Sequence, residues 1–546
     1  MPGRPVIEPS RHGQPPPDAH VRGSGAPGES PIARWEMVAA PLFLGLTFVL
    51  HVLCAFRWKF DSDEWQHLHV AWAWSQGLLE YRDIFDNHAP LFHMLTAPLI
   101  TAFGETPDIL VFMRLIMLPV VLATLAASAA IGHRLGGRRA ALWTPAVLAP
   151  VPAFFFRSIE YRADGLWAAL SIGAIAVMVT GTVGPARVFA ARGCDGGCGC
   201  CPHSSGAWHW RPSPSFFTMP VAARSRRSST TPFGTTSCPG SARGQPRGDA
   251  CSSFPRSPSC SGSPPGWLGG TKPRHARRVA FLVLTAGAFL AALQTLWPLY
   301  TSYDLLVFYP LLLTLVVSSM LASRETRATA DFGTVRAHAW RFPAIALLLL
   351  GCVALDYAQE HDDTRYETAL IAEPLQLTDP SDLVLDQKGD VIFRRRPTPY
   401  IMERITGDRL ERGLLAERIP EEVIATRTCV AAARIPLFPA RTRRFLTENF
   451  LPIGHLLIAG RFLPASGTVA NHSGQFDIAI PARYALVSES GNLRGLVDGE
   501  TYTGPQELAA GCHTFSLSFK GSRAAVVWAK AVERKFSPFE AGRSPR

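Results

Sequence analysis

Seven stretches of this chain, at about 37–56, 111–131, 141–156, 166–181, 279–297, 304–322 and 342–358, stay apolar for close to the length that crosses a hydrocarbon layer. Backbone that enters lipid has to satisfy its own polar groups, and for single runs of this length that means helix. The chain is therefore expected to be a polytopic α-helical membrane protein, spanning from about residue 36 to 358.

The charges between the runs fix how they alternate. Arg134, Arg138 and Arg139 follow the second run, Arg187 and Arg192 the fourth, Lys272 and Arg274 precede the fifth, and Arg324, Arg327, Arg336 and Arg341 follow the sixth. Basic residues close to membrane-spanning ends favour the cytoplasm. The loop at 57–110 is acidic instead, with Asp61, Asp63, Glu64, Glu80, Asp83 and Asp86 among its charges. It is expected outside, together with 157–165, 298–303 and everything after 358. One orientation then satisfies every loop. The net charge of +11 follows from this placing and not from a basic stripe interleaved with aromatics, so nucleic acid is not an expected partner. Residues 1–35, rich in Pro, Gly and Arg, read as a disordered cytoplasmic tail, with a polar lead too long for a signal peptide.

Two shorter apolar pieces need a separate reading. A span at 90–104 would turn the Arg134–Arg139 loop outside, so this piece is expected to lie in the membrane interface. Residues 65–79 look similar, with Trp65, Trp72 and Trp74 suited to headgroup depth and His67 and His69 facing headgroups.

Residues 187–275 break the pattern. Ser, Pro, Arg, Gly and Cys dominate, and seven of the eleven cysteines fall between Cys194 and Cys260. No His or Cys pair follows Cys194, Cys198, Cys200 and Cys201 at zinc-finger spacing. The segment reads either as a disordered cytoplasmic insert, which would cripple an enzyme, or as the product of two compensating frameshifts that replaced an even number of spans, most simply two. Translating the coding DNA in the other two frames distinguishes these.

Residues able to do chemistry lie in the outer loops. Asp61-Ser62-Asp63-Glu64 stands just past the first run. Carboxylates beside a membrane are costly to desolvate. This cluster reads either as a solvated loop or as a site in which a carboxylate acts as general base or holds a divalent cation against a phosphate. Further on come Gly77-Leu78-Leu79-Glu80-Tyr81-Arg82-Asp83, then Phe85-Asp86-Asn87-His88-Ala89-Pro90-Leu91, and on the same side Glu160-Tyr161-Arg162-Ala163-Asp164-Gly165.

Taken as an ordered set on one membrane side, these pieces resemble the GT-C superfamily of membrane glycosyltransferases, which includes protein O-mannosyltransferases and the aminoarabinose transferases that modify lipid A. The resemblance covers about 36–181, and more loosely 279–322, where Trp297-Pro298-Leu299-Tyr300 through Tyr309-Pro310 is similar to the carrier-lipid region. It implies a GT-C-like helical membrane domain in the cell inner membrane. It also implies transfer of a sugar from a polyprenyl-phosphate donor to an extracytoplasmic glycan, lipid or protein. By the same resemblance Asp63 is the catalytic base, with Glu64 beside it and Asp61 as the rival, and Asp164 is the later acidic residue. Asp63 and Glu64 would hold a divalent metal ion if one is used. Arg82 and Arg162 would meet the carrier phosphate, and Tyr81, Asp83, Tyr300 and Tyr303 would line the substrate site. Where the aminoarabinose transferases carry a Lys before the Pro, this chain has His88-Ala89-Pro90. That puts one phosphate contact in doubt and leaves His88 as a donor, a metal ligand or a loop His capping a helix.

Residues 359–546 are soluble in character. Val384-Leu385-Asp386 and Asp390-Val391-Ile392-Phe393 read as short strands in a mixed α/β module, and a β-rich sandwich pattern takes over near 470. Cys429 and Cys512 are the only cysteines in this portion, and an oxidising compartment permits their pairing. No catalytic constellation is visible here. The rivals to a transferase are a non-catalytic pseudoenzyme and a flippase-like carrier of polyprenyl lipid or glycan. Against the carrier, no inverted repeat or Gly/Pro-broken pair of spans is apparent.

Overall fold

The computed structural model describes residues 32–181, 273–297, 301–325, 340–360, 362–399, 401–464, 467–468, 471–491, 493–519 and 523–539. The expectations for the tail at 1–31, for the cysteines from Cys194 to Cys260 and for Tyr300 lie outside these residues.

The helical region comprises α1 (Glu36–Arg57), α2 (Ser62–Ser75), α3 (Leu91–Phe103), α4 (Ile109–Leu148), α5 (Pro152–Ile159), α6 (Ala163–Thr180), α7 (Pro273–Thr295), α8 (Phe308–Glu325) and α9 (Arg341–Gln359). Among the described residues, five of these, α1, α4, α6, α7 and α9, are long and apolar enough to cross a membrane. Helix α1 shows what surrounds them. Val38, Leu42, Leu46, Val49, Leu53 and Phe56 recur every three or four residues on its exposed face, while Ala40, Thr47, His51 and Cys54 turn inward. A water-soluble helix would show the reverse arrangement.

Five helices stand where seven spans were expected, and the difference has local causes. The 40 residues of α4 are two limbs merged across Gly136 and Gly137, the latter at φ +70°, a backbone conformation that glycine adopts without a Cβ clash. A Cβ on Gly132 would come within 2.9 Å of Thr144 Oγ1. Twelve positions along a straight helix span about 18 Å, so the limbs fold back on each other as a hairpin. The expected run at 141–156 is the returning limb plus α5, interrupted at Pro150 and Pro152, where missing backbone N–H groups end the helix. The run at 304–322 begins as a 3-10 turn at Tyr303–Leu306, which leaves α8 a shorter apolar length.

Residues read as cytoplasmic gather at one end of the bundle. There the Glu36 carboxylate accepts from Arg139 at 2.5 Å and from Trp143 at 3.2 Å, and Trp35 stacks on Trp340. At the other end, among residues read as outer, Asp61 contacts Arg157 at 3.3 Å and Lys59 contacts Glu360 at 2.6 Å. A cysteine introduced at Arg138 should therefore resist an impermeant thiol reagent added to intact cells, while one at Arg82 should react. The opposite pattern would overturn the orientation.

The region after α9 begins with α10 (Thr364–Leu377) and builds two sheets. A seven-stranded sheet runs in the order Val384–Leu385, Val430–Ala432, Leu456–Phe462, Ala524–Trp528, Ala482–Ser488, Gln506–Leu508, with Phe450–Ile453 also paired to Leu456–Phe462. Only its first pairing is parallel. The second sheet, of five antiparallel strands, runs Gly467–Thr468, Asn471–Ile478, Gly511–Phe519, Leu493–Val497, Glu500–Thr501. The sheets share a core in which Ala459, Tyr484 and Leu486 meet Phe476, Val497 and Phe515. Since the larger sheet takes strands from both sides of residue 470, that position is not a boundary between the sheets. Cys429 and Cys512 are both free, the first buried and the second exposed, so they do not form the disulfide.

Residues 390–393 form no strand. The buried Asp386 carboxylate accepts from the backbone N–H of Gly389 and Val391, at 3.2 and 2.9 Å, and folds the segment into a tight turn. That turn presses on α2. A Cβ on Gly389 (φ +102°) would lie 2.8 Å from the Cβ of His69 and 3.1 Å from the Trp65 carbonyl oxygen. His69 donates through Nδ1 to the Ile392 carbonyl at 2.8 Å, and the Arg434 guanidinium lies 4.2 Å from the Trp65 ring centre. Helix α2 is thus covered by the C-terminal region, which corrects its reading as an interfacial helix. His67 and His69 are both buried rather than facing headgroups. Helix α3 leaves Leu91, Met94 and Leu95 exposed on one face.

Candidate functional site

The acidic cluster is shaped by the start of α2. Asp61 is its N-cap. The Asp61 side chain accepts from the Asp63 N–H at 3.0 Å, and Glu64 reaches back to the Asp61 N–H at 2.9 Å, a reciprocal capping box. Three carboxylates close together in sequence are thereby divided, Glu64 toward Arg114 and both Asp61 and Asp63 toward Arg162.

Glu64 points inward. Its oxygens accept from Arg114 Nε and Nη2, at 2.7 and 2.5 Å, and from the Tyr161 N–H at 3.0 Å. Arg114 also donates to the carbonyls of Trp58 and Lys59, each at 2.8 Å. Both side chains are fully buried. With its oxygens occupied this way, Glu64 is an anchor that ties α2 to α4, not a base or a metal ligand.

Asp63 is partly open, its side chain 14% exposed. One oxygen meets Arg162 at 2.6 Å and the other accepts from Lys388, the residue at the tip of the Asp386–Val391 turn. Burial pushes the Asp63 carboxyl up, but Arg162 and then Lys388 outweigh it and hold the group below the usual carboxylate range. Burial pulls Lys388 down, and Asp63 and Glu403, the latter 3.5 Å away, raise it overall.

Arg162, only 1% exposed, is the hub. It contacts Asp61 at 3.1 Å, Asp63 at 2.6 Å and Asp164 at 3.1 Å, and lies 3.7 Å from the centre of the Tyr303 ring. A guanidinium engaged on three carboxylates and an aromatic face is not free for a carrier phosphate, so its expected role changes to holding the carboxylates in place. Asp164 sits in the first turn of α6, where the helix dipole favours an acid. Arg157 is the more accessible cation. It contacts Asp61 at 3.3 Å, Glu160 at 2.6 Å and Ser302 at 3.2 Å. Burial and the neighbouring Glu64 raise the Glu160 carboxyl, whose second oxygen is buried without a hydrogen-bond partner.

His88 borders this centre. Its Nδ1 contacts the buried Asp86 at 2.7 Å. Burial lowers His88, but Asp86, then Asp63 and Asp164, raise it overall. Behind it runs a buried polar track in which the His67 ring lies 4.4 Å from that of His88, His67 bonds His93 at 2.8 Å, and His93 bonds Glu80 at 2.9 Å. Tyr81, at φ +68°, donates its hydroxyl to the His88 carbonyl and so braces the loop through a strained backbone position. Arg82 and Asp83 stand apart from Asp63. Arg82 is 66% exposed and pairs with Asp83 at 2.7 Å.

The structure therefore brings Asp61, Asp63, Asp164, Arg162, Tyr303 and His88 together, sends Glu64 into the core and leaves Arg82 and Asp83 outside. Sequence reasoning missed Arg157 and Lys388. The signal for Lys388 was Gln387-Lys388-Gly389-Asp390, a lysine before a turn glycine, flanked by two acids that were read as strand ends.

A divalent ion at Asp63 would have to displace Arg162 and Lys388. Among the described residues no group of three or more His, Cys, Asp or Glu is placed to hold one. The donor set does not fit a metal in this arrangement.

Comparison with protein-family models, with curated proteins and with solved structures finds no match to this chain.

Proposed function

We propose that the chain is a membrane glycosyltransferase of the GT-C kind, moving a sugar from a polyprenyl-phosphate carrier to an extracytoplasmic hydroxyl, with Asp63 as the base. The observation that carries the reading is the placing of Asp63. It is a partly open carboxylate just past the end of a membrane-length helix, kept ionised by cations from two distant stretches of the chain.

The chemistry follows from that placing. Asp63 takes the proton of the acceptor hydroxyl as its oxygen attacks the anomeric carbon. The bond from that carbon to the phosphate oxygen breaks, and the lipid phosphate leaves with the electron pair. Protonation of Asp63 weakens its hold on Lys388 as negative charge grows on the phosphate, so Lys388 can turn toward the leaving group. Arg157 is the second accessible cation there, and charge-assisted contacts to phosphate oxygens are among the stronger hydrogen bonds. Arg162 positions Asp63 and Asp164 without leaving them.

The test uses membranes carrying the full chain and a labelled polyprenyl-phosphate sugar pool. Label is expected to pass into an outer glycan, lipid or protein, with release of the polyprenyl phosphate. Label that crosses the membrane with the sugar–phosphate bond intact would mean a carrier. Label that stays on the unmoved donor would end the transferase reading.

A further inference from the structure

A base that takes a proton must also lose it, and the ion-pair partners of Asp63 cannot help. Arg162 and Lys388 contact it directly, and a guanidinium and an ammonium already carry all the protons they hold. The imidazoles beside this centre differ. His67 lies one turn after Asp63 on the same face of α2, and its ring centre is 4.4 Å from that of His88.

Behind His67 the hydrogen bonds run one way. Glu80 Oε2 accepts from the Trp74 indole N–H at 3.1 Å and lies 2.9 Å from His93 Nδ1, so that nitrogen carries a proton. His93 Nε2 lies 2.8 Å from His67 Nδ1. In a neutral chain His93 Nε2 is an acceptor, so His67 donates through Nδ1 and keeps a lone pair on Nε2. That Nε2 is buried and makes no hydrogen bond, a rarity that calls for a reason. Its surroundings favour a lone pair over an N–H. His88 from the loop before α3, His93 from α3, Arg162 from the start of α6 and Lys388 from the C-terminal turn all act on His67. Burial first, and these groups after it, hold its imidazole well below the usual histidine range and therefore neutral.

We infer that Glu80, His93 and His67 form a proton wire whose mouth is His67 Nε2, and that it draws the acceptor's proton away from Asp63 through His88. The inference rests on Asp63 as the base of the proposed transfer. Nδ1 of His88 is tied to Asp86 at 2.7 Å, so Nε2 is its exchanging atom. His88 gives its Nε2 proton to His67 Nε2 and takes the one on Asp63 in its place. His67 passes its Nδ1 proton to His93 Nε2, and His93 passes its Nδ1 proton to Glu80. Only N–H and O–H bonds change. Asp63 ends as a carboxylate, Glu80 as a carboxylic acid, and the three imidazoles keep their charges. Tyr81, the residue after Glu80, is 56% exposed, so the wire ends one residue from water.

The experiment has two arms, both on the full chain in lipid membranes. In the first, magic-angle-spinning NMR of protein labelled with ¹⁵N-histidine reads which nitrogen of His67 is protonated, with His67→Gln assigning the signal. A proton on Nδ1 and none on Nε2 is expected at neutral pH; a proton on Nε2 overturns the proposal. In the second, steady-state transfer is measured in dilute buffer with and without added imidazole. Glutamine at position 67 or 80 keeps a hydrogen bond but cannot pass a proton. His67→Gln and Glu80→Gln should each lower turnover on the order of 10-fold, less than the loss of the base itself, with KM for the donor unchanged. Imidazole, a mobile base that removes the proton directly, should restore most of the rate, which it would not do for a structural defect. Full activity in both variants, or a loss that imidazole leaves in place, overturns the proposal. A wild type that transfers no sugar while His67 shows the expected tautomer would contradict Asp63 as the base and uphold the direction of the wire.

Discussion

Glu64→Gln should cost the protein about 3–5 kcal/mol of stability, the usual penalty for removing one partner of a buried ion pair. That is a large share of the roughly 5–15 kcal/mol that holds a typical domain folded. The reason lies with Arg114. Deprived of the Glu64 negative charge, it keeps its own charge in a fully buried position where its remaining contacts, the Trp58 and Lys59 carbonyls and the Phe60 ring face, are neutral. The same change loosens the capping box at α2 and the N–H of Tyr161. Thermal aggregation of detergent-solubilised protein should show a lowered midpoint, and limited proteolysis should cut the 57–62 stretch earlier. If Glu64→Gln instead purifies with an unchanged midpoint and loses only transfer, Glu64 belongs to the chemistry and the anchor assignment is wrong.

Asp63→Asn should lower transfer by about 10²–10⁴-fold, the typical cost of a lost general base, with the amount of protein in the membrane unchanged. The amide fills the same space but cannot take the acceptor's proton. It also releases Arg162 and Lys388 from their shared partner. Asp61→Asn should be milder, because Asn serves as an N-cap about as well as Asp and Arg162 keeps two other carboxylates. Asp164→Asn should fall between, since it removes a charge from Arg162 next to the reacting centre. Should Asp61→Asn prove the most damaging of the three, the base has been placed two residues too late in the chain.

How much of this was legible in the sequence differs by element. The apolar runs and the charges between them marked the helices and their alternation, since membrane-length hydrophobicity is a local property. The turn at Gly136-Gly137 falls in the loop expected between two runs, whereas the break at Pro150-Val151-Pro152 lies inside a run judged by total hydropathy, which does not weigh backbone geometry. The carboxylates of the first outer loop were visible as a cluster, whereas their separate fates were not. Glu64 and Asp63 are neighbours in sequence, and only the helical turn that aims one at Arg114 and the other at Arg162 tells anchor from active group. Lys388 was hidden for a different reason. It reaches Asp63 across 325 residues, and nothing local to its turn says which surface that turn will cover. The burial of α2 was misread for the same cause, because three tryptophans suit a membrane interface and a protein interface equally well.

The contact between Asp63 and Lys388 joins the helical region to the C-terminal region. Transfer rates should be measured for wild type, Asp63→Asn, Lys388→Met and the double variant in the same membranes. If Asp63 and Lys388 work as one centre, Lys388→Met alone loses on the order of 10²–10³-fold, as for removal of a single charge-stabilising donor. The double variant should then be little worse than Asp63→Asn, because groups that act as a unit are lost together. Losses that multiply, or a Lys388→Met variant as active as wild type, would contradict a catalytic centre shared between the helical region and the C-terminal region.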